Sequence, residues 1–239
     1  MKLFQRKNRQ KPSATCSIVV VAAGSSSRMG QDKVLLQVAG IPVIVHTLKA
    51  FEALPEVTEV VVVTREDLIP EIAGLAKVFD LQKVKKVVRG GSSRVESAQI
   101  GVTEADRDAQ LIGIHDAARP FVTDTVIREV ILKAAETGAA APAIPVKDTI
   151  KVAHKGLIDH TPDRATLFAV QTPQVFDSSL IRAALQKALD DGAGITDDCS
   201  AVERLGMKVS LTAGDERNIK LTTPADMMLA EFMMQEALK

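Results

Sequence analysis

The chain contains no tryptophan and no tyrosine, and its aromatic content is seven phenylalanines. A core for 239 residues must therefore be built from aliphatic side chains. Its two cysteines, Cys16 and Cys199, are far apart and lack metal-type spacing, and the four histidines (His46, His115, His154, His160) form no zinc pattern. Free, buried thiols are expected. No stretch approaches the ~20 apolar residues of a membrane span. The apolar run 18–23 is shorter than the roughly seven to fifteen residues of a secretory signal core. The expectation is a cytoplasmic protein without a membrane partner. Net charge is lacking too: thirty basic and thirty acidic residues cancel, which argues against nucleic acid as a partner.

That balance hides an asymmetry. Residues 1–14 carry Lys2, Arg6, Lys7, Arg9 and Lys11 and no acid, leaving twenty-five basic against thirty acidic residues in the rest. The segment reads as a solvated, disordered basic leader before a single domain over 15–239.

What is present is alternation. Short β-branched runs at 17–23, 59–64, 84–89, 109–115, 139–146 and 207–212 predict strands, nearly continuous in Val, Ile and Ala as parallel strands covered on both faces are. Helical patterns fill the gaps at 43–54, 66–78, 93–105, 124–137, 178–190, 197–205 and 224–237. In the third, Val95, Ala98 and Val102 mark a core-facing stripe. Thr196 and Gly206 are expected to cap the sixth, and Pro224 opens the last. The pattern predicts an α/β three-layer sandwich. Residues 147–171 break it, with two strand-like runs about Lys155-Gly156 and no long helix. Twenty-five residues is long for a connection, so a protruding hairpin arm is expected there.

The first strand opens into VAAGSSSRMGQDK, residues 21–33. Gly24 is followed by three serines, so the dinucleotide fingerprint fails; five residues separate Gly24 from Gly30, and Gln31-Asp32 follow, so the Walker A pattern fails too. A loop with small residues, Arg28 and Lys33 remains. Small residues let backbone N–H groups approach phosphate oxygens, and fixed cations neutralise charge that develops during phosphoryl exchange. The same loop alone is equally compatible with solvated cations between strand and helix.

Further motifs decide between these. The pattern A-A-G-x-x-x-R-M-x-x-x-K-x-L resembles the signature of sugar-phosphate nucleotidyltransferases. Downstream stand Arg89-Gly90-Gly91-Ser92-Ser93-Arg94-Val95-Glu96-Ser97, His115-Asp116-Ala117-Ala118-Arg119-Pro120, Pro145-Val146-Lys147-Asp148-Thr149, Gln171-Thr172-Pro173-Gln174, Ile195-Thr196-Asp197-Asp198 and Asn218-Ile219-Lys220-Leu221-Thr222. In that order they resemble the 2-C-methyl-D-erythritol 4-phosphate cytidylyltransferase family over about residues 16–237. The resemblance implies a Rossmann-like α/β/α nucleotidyltransferase fold with a mostly parallel sheet. It also implies transfer of the cytidylyl group of CTP to methylerythritol phosphate, with release of pyrophosphate. No protein nucleophile is needed, because the attacking phosphate is already an anion, and no nucleophilic triad is recognisable.

By the same resemblance, Arg28 and Lys33 hold the triphosphate and stabilise the transition state. Ala22, Ala23, Gly24, Ser25, Gly91, Ser92, Ser97 and Ala117 contact the nucleotide, Ser97 at the base and Ser92 at the ribose. Asp116, ending a strand, meets Mg²⁺ with the phosphates, and Asn218 assists. Thr149, Arg164, Thr172, Thr196 and Lys220 bind the substrate phosphate, Arg164 from a twin subunit in a homodimer joined through the arm. The chain departs from the family pattern at Asp32, where a proline is common, and at Ser92 and Arg217, where acids are. Two rivals share features: ribitol 5-phosphate cytidylyltransferase, and a non-catalytic nucleotide-binding regulator on the same fold. Asp163-Arg164 and Leu167 ahead of Gln171 favour the first reading over ribitol phosphate; the loop lysine and Asp116 favour an enzyme.

Overall fold

Strand β1 (Cys16–Val21) carries β-branched side chains on both faces. Ile18 and Val20 enter one core cluster and Val19 the opposite one, so the strand lies between two helical layers. The structure is a computed structural model and describes residues 14–24, 32 and 34–237. Ser25, Arg28 and Lys33 lie outside the described residues, as do residues 1–13 of the expected leader.

After β1 come the short pair β2 (Gln37–Val38) and β3 (Ile41–Pro42), α1 (Val43–Glu52), β4 (Val57–Thr64), α2 (Ile69–Val78), β5 (Val84–Arg89), α3 (Arg94–Glu104), β6 (Leu111–Asp116), α4 (Asp124–Thr137) and β7 (Ala139–Pro145). The remaining elements are β8 (Val152–His154), β9 (Leu157–His160), β10 (Phe168–Val170), β11 (Gln174–Asp177), α5 (Ser178–Asp190), α6 (Asp198–Arg204), β12 (Ser210–Ala213) and α7 (Pro224–Ala237).

Strands β6, β1, β4 and β5 pair in parallel in that order. Strand β11 inserts antiparallel between β6 and β7. Strand β12 runs parallel along one edge of β7, and β10 runs antiparallel on the other. Helices α1, α2 and α4 fill one layer and α3, α5 and α6 the other, giving the mostly parallel three-layer α/β architecture expected. No helix among the described residues is long and apolar enough to cross a membrane.

Differences from the sequence reading are local. The predicted 66–78 helix begins with a separate 3₁₀ turn, Glu66–Leu68. The last predicted strand starts later, at Ser210, because Gly206 at φ 78° turns the chain after α6. Asp197, and not Thr196, caps α6: its carboxylate accepts from the Ser200 N–H at 3.0 Å, while Thr196 is exposed. Residues 168–170 belong to the main sheet as β10. The hairpin is β8 and β9 about Lys155 (φ 50°) and Gly156 (φ 81°), with every residue of both strands exposed. Both cysteines are free and buried.

Candidate active site

The carboxyl ends of β1, β5 and β6 face one cleft of about 370 Å³, as ligand sites do in open parallel sheets. Ala22, Ala23, Gly24, Gly91, Ser92, Ser97, Asp116 and Lys220 line it, so most of the expected site residues that are described converge. Ala22 is tied down by its N–H to Val63 O at 2.7 Å, and Gly90 by its N–H to Thr64 O at 2.7 Å. A Cβ on Gly90 would stand 2.6 Å from Ala23 Cβ and 2.9 Å from Ser97 Oγ; only glycine lets the two cleft walls meet there.

The α3 start is a capping arrangement. Ser93 Oγ accepts from Glu96 N–H at 3.1 Å, and the Glu96 carboxylate reaches back to Ser92, accepting from its N–H and its hydroxyl at 2.7 Å each. Those bonds hold Glu96 below the usual carboxylate range. Ser97 Oγ accepts from Gly91 N–H at 3.1 Å and donates to Ser93 O at 2.8 Å, so this hydroxyl shapes the loop it was expected to serve.

Asp116 ends β6 among three cations. Lys220 Nζ lies 3.0 Å and Arg119 Nε 3.4 Å from its Oδ2, and Arg94 Nη2 lies 3.8 Å from its Oδ1. Burial alone would raise its pKa; the pull of Lys220, then Arg94, outweighs burial and carries it down to about 2. At neutral pH it is a full carboxylate, and among the described residues its Oδ1 meets only Arg94, at 3.8 Å. Arg94 is itself fixed by fully buried Asp198 through a two-point fork at 2.9 and 2.7 Å, bracing the start of α3 against the start of α6.

Behind Asp116 the buried polar groups define their own protons. Burial pushes His115 down to about 4, so the ring is neutral. Its Nε2 faces the Arg119 carbonyl at 3.2 Å, an acceptor only, and must carry the hydrogen. Nδ1 is then an acceptor, and the Thr172 hydroxyl donates to it at 3.1 Å while accepting from Asp116 N–H at 3.1 Å. Thr172 is thus spent on holding Asp116. Ala117 is buried, its N–H on Val21 O at 3.1 Å and its carbonyl under Thr47 Oγ1 at 2.8 Å; its neighbour Ala118 lines the cleft. Thr149, Arg164 and Thr196 are exposed and do not line this chain's cleft; Arg164 donates to Lys147 O at 3.1 Å.

Sequence reasoning underrated the residues that act through backbone. Gln174 accepts from Asp198 and Cys199 N–H, each at 3.0 Å, and donates to Asp197 Oδ2. Gln171 donates to Asp215 O at 2.8 Å. Arg119 donates to Asn218 O at 2.7 Å. Two glutamines three residues apart, flanking Thr172, were the available signal.

A mostly parallel open sheet, small residues 22–24 at the end of β1 and a carboxylate ringed by cations at the strand ends define a nucleotidyltransferase. The model of the family described as 2-C-methyl-D-erythritol 4-phosphate cytidylyltransferase matches residues 16–236, and the chain belongs to that family. A relative of that description from Caldanaerobacter subterraneus subsp. tengcongensis is 44% identical over 224 residues, covering 92% of this chain and 99% of its own. One from Halalkalibacterium halodurans is 43% identical over 222 residues, covering 92% and 97%. Among solved structures, 4-diphosphocytidyl-2C-methyl-D-erythritol synthase from Anaerococcus prevotii superposes with a TM-score of 0.84 at 30% identity, covering 94% of this chain and 98% of that one. The Thermus thermophilus cytidylyltransferase gives 0.77 at 31% identity, covering 92% and 99%.

Proposed function

We propose that the chain is a cytoplasmic, Mg²⁺-dependent, homodimeric enzyme that transfers the cytidylyl group of CTP to 2-C-methyl-D-erythritol 4-phosphate. A substrate phosphate oxygen attacks the α-phosphorus, the bond from that phosphorus to the β-phosphate bridging oxygen breaks, and pyrophosphate leaves. The observation that carries this reading is the Asp116 cluster: three cations converge on one carboxylate and Asp198 offsets one more of them, so the cluster keeps a positive excess that favours an anionic ligand.

In this reading Ala22, Ala23, Gly24, Ser25, Gly91, Ser92, Ser97 and Ala117 form the nucleotide's bed. Arg28 and Lys33 neutralise the charge that builds on the phosphates. Lys220, Thr196 and Thr149 receive the substrate phosphate together with Arg164, and that arginine is contributed by the partner chain through the arm. Thr172 supports that subsite from behind. Mg²⁺ fits the donor set. Among the described residues no group of three His, Cys, Asp or Glu is arranged to hold a metal, but an ionised, hard carboxylate at the cleft suits an ion completed by phosphates and water. Asp116 is the residue that would hold it; bound Mg²⁺ supplies charge neutralisation and a better leaving group. The test is pyrophosphate release from CTP with methylerythritol phosphate or with ribitol 5-phosphate. Turnover of the first alone is expected; preference for ribitol phosphate, or no turnover of either, overturns the reading.

A further inference from the structure

An arginine head carries five N–H donors and no acceptor. Arg94 gives two of them to Asp198, Nη1 to Oδ1 at 2.9 Å and Nη2 to Oδ2 at 2.7 Å, and among the described residues its side chain makes no other hydrogen bond. Asp116 Oδ1, 3.8 Å from Nη2, is an ionic neighbour beyond hydrogen-bond range. The Arg94 side chain is 30% exposed and lines the cleft with Ser92, Ser97, Asp116 and Lys220. Among the described residues Arg94 and Lys220 are the two cations of that lining. Arg119, the third cation beside Asp116, lies outside it and gives Nη1 to Asn218 O at 2.7 Å. A charged head with unspent donors at a cleft wall suits an anionic acceptor.

We propose that Arg94 is a further binding residue of the cleft, that it takes an oxygen of the nucleotide's phosphates, and that Asp198 is the positioning residue that aims it. The inference rests on the reading of the cleft as a nucleotide site. Asp198 is fully buried, and its N–H is held by Gln174 Oε1 at 3.0 Å, so the anchor of the fork is itself rooted on β11. A two-point arginine–carboxylate fork fixes orientation as well as distance, which lysine does not reproduce. The head is therefore pre-set, and little side-chain freedom remains to be lost when an anion binds. Its place in the chain selects the anion. Arg94 opens α3 between Ser92 and Ser97, which in that reading hold the nucleoside, and its head reaches Asp116 at the end of β6. An oxygen in front of it lies between nucleoside and carboxylate, where the phosphate chain of a nucleotide begins.

Arg94→Met alone would strand the Asp198 carboxylate in the core, so the principal variant joins Arg94→Met to Asp198→Asn and removes both charges together. The experiment measures Kd for CTP by calorimetry and Kd for cytidine, the same nucleoside without phosphates, by saturation-transfer NMR. The double variant is expected to bind CTP about tenfold or more weakly than wild type, with cytidine within about threefold. Damage to the start of α3 would weaken both ligands, because Ser92 and Ser97 stand there. Arg94→Lys keeps a charge against Asp198 and loses the fork, so it shows the same selective loss of CTP even if the double variant folds poorly. Unchanged CTP affinity in both variants, or CTP and cytidine weakened alike, overturns the proposal and leaves Arg94 a brace between α3 and α6. Wild type that binds CTP no more tightly than cytidine overturns the nucleotide reading itself.

Discussion

Asp116 combines two demands that conflict in an ordinary buried carboxylate: it must be dry and it must be charged. Lys220, Arg94 and Arg119 reconcile them. Asp116→Asn keeps the size and leaves Lys220 and Arg119 without their shared carboxylate, while Arg94 keeps Asp198. It is expected to lose on the order of 10²-fold or more in kcat at every Mg²⁺ concentration. Wild type should lose activity in EDTA and regain it with Mg²⁺; steady-state assays across a Mg²⁺ titration check both. His115 offers a prediction in a separate pH range. Its pKa is near 4 in the fold against about 6.5 unfolded, so the unfolded chain binds the extra proton between those values. Stability from this residue is complete above pH ~6.5 and is lost as pH falls to about 4, on the order of 3 kcal/mol in all. Asp116, held near 2, keeps its contribution through that range and loses it only below the ordinary carboxylate value of about 3.9. Denaturant unfolding at pH ~7 and ~4.5 should show the loss in wild type and a smaller one in His115→Asn.

Helix α3 shows how an element places a site. Its stripe of Val95, Ala98 and Val102 faces the core as its spacing predicted. Gly101 beside it had no rationale in the sequence, since glycine costs about 1 kcal/mol within a helix. In the fold an added Cβ would lie 2.3 Å from Val19 Cγ1 and 2.7 Å from Val63 Cγ2, so the glycine lets α3 approach β1 and β4 and brings Ser93 and Ser97 to the cleft. Gly101→Ala is expected to cost about 1–3 kcal/mol by overpacking, read as a lower Tm, and to raise KM for CTP more than it lowers kcat. Periodicity made such buried helices and the parallel strands legible, because each carries a continuous apolar signal. Strands β10 and β11 were not legible: they are three and four residues long, they pair antiparallel, and Gln174 in β11 spends its side chain on the start of α6. That Asp116 and Lys220 would meet in one cleft was legible in the sequence. That Gln171 and Thr172 would spend hydrogen bonds on backbone was not.

For the whole molecule, the hairpin of β8 and β9 is the feature a single chain leaves unexplained. Leu157 and Ile158 are 76% and 65% exposed on it. A twin subunit covering this surface is the commonest symmetric solution and would carry Arg164 to the other chain's cleft. Arg164→Ala and Lys33→Ala homodimers should then each be weak, since each site in either lacks one cation. Mixing them, with subunit exchange verified, should produce one site lacking both cations and one complete site per mixed dimer, restoring up to about half the normal activity. No recovery would mean that Arg164 acts within its own chain. The two buried thiols have a consequence for watching such a molecule at work. Burial pushes Cys16 up to about 12 and Cys199 further still, so neither presents an appreciable thiolate at neutral pH. Alkylation must wait for the surrounding structure to open. Cys16 sits inside the central sheet and is released only when the sheet comes apart, whereas Cys199 needs only the first turn of α6 to lift beside Asp198. Their labelling rates, followed by mass, would time global and local opening in one unmodified protein. A substrate bridging Thr196 to the cleft should slow Cys199 more than Cys16.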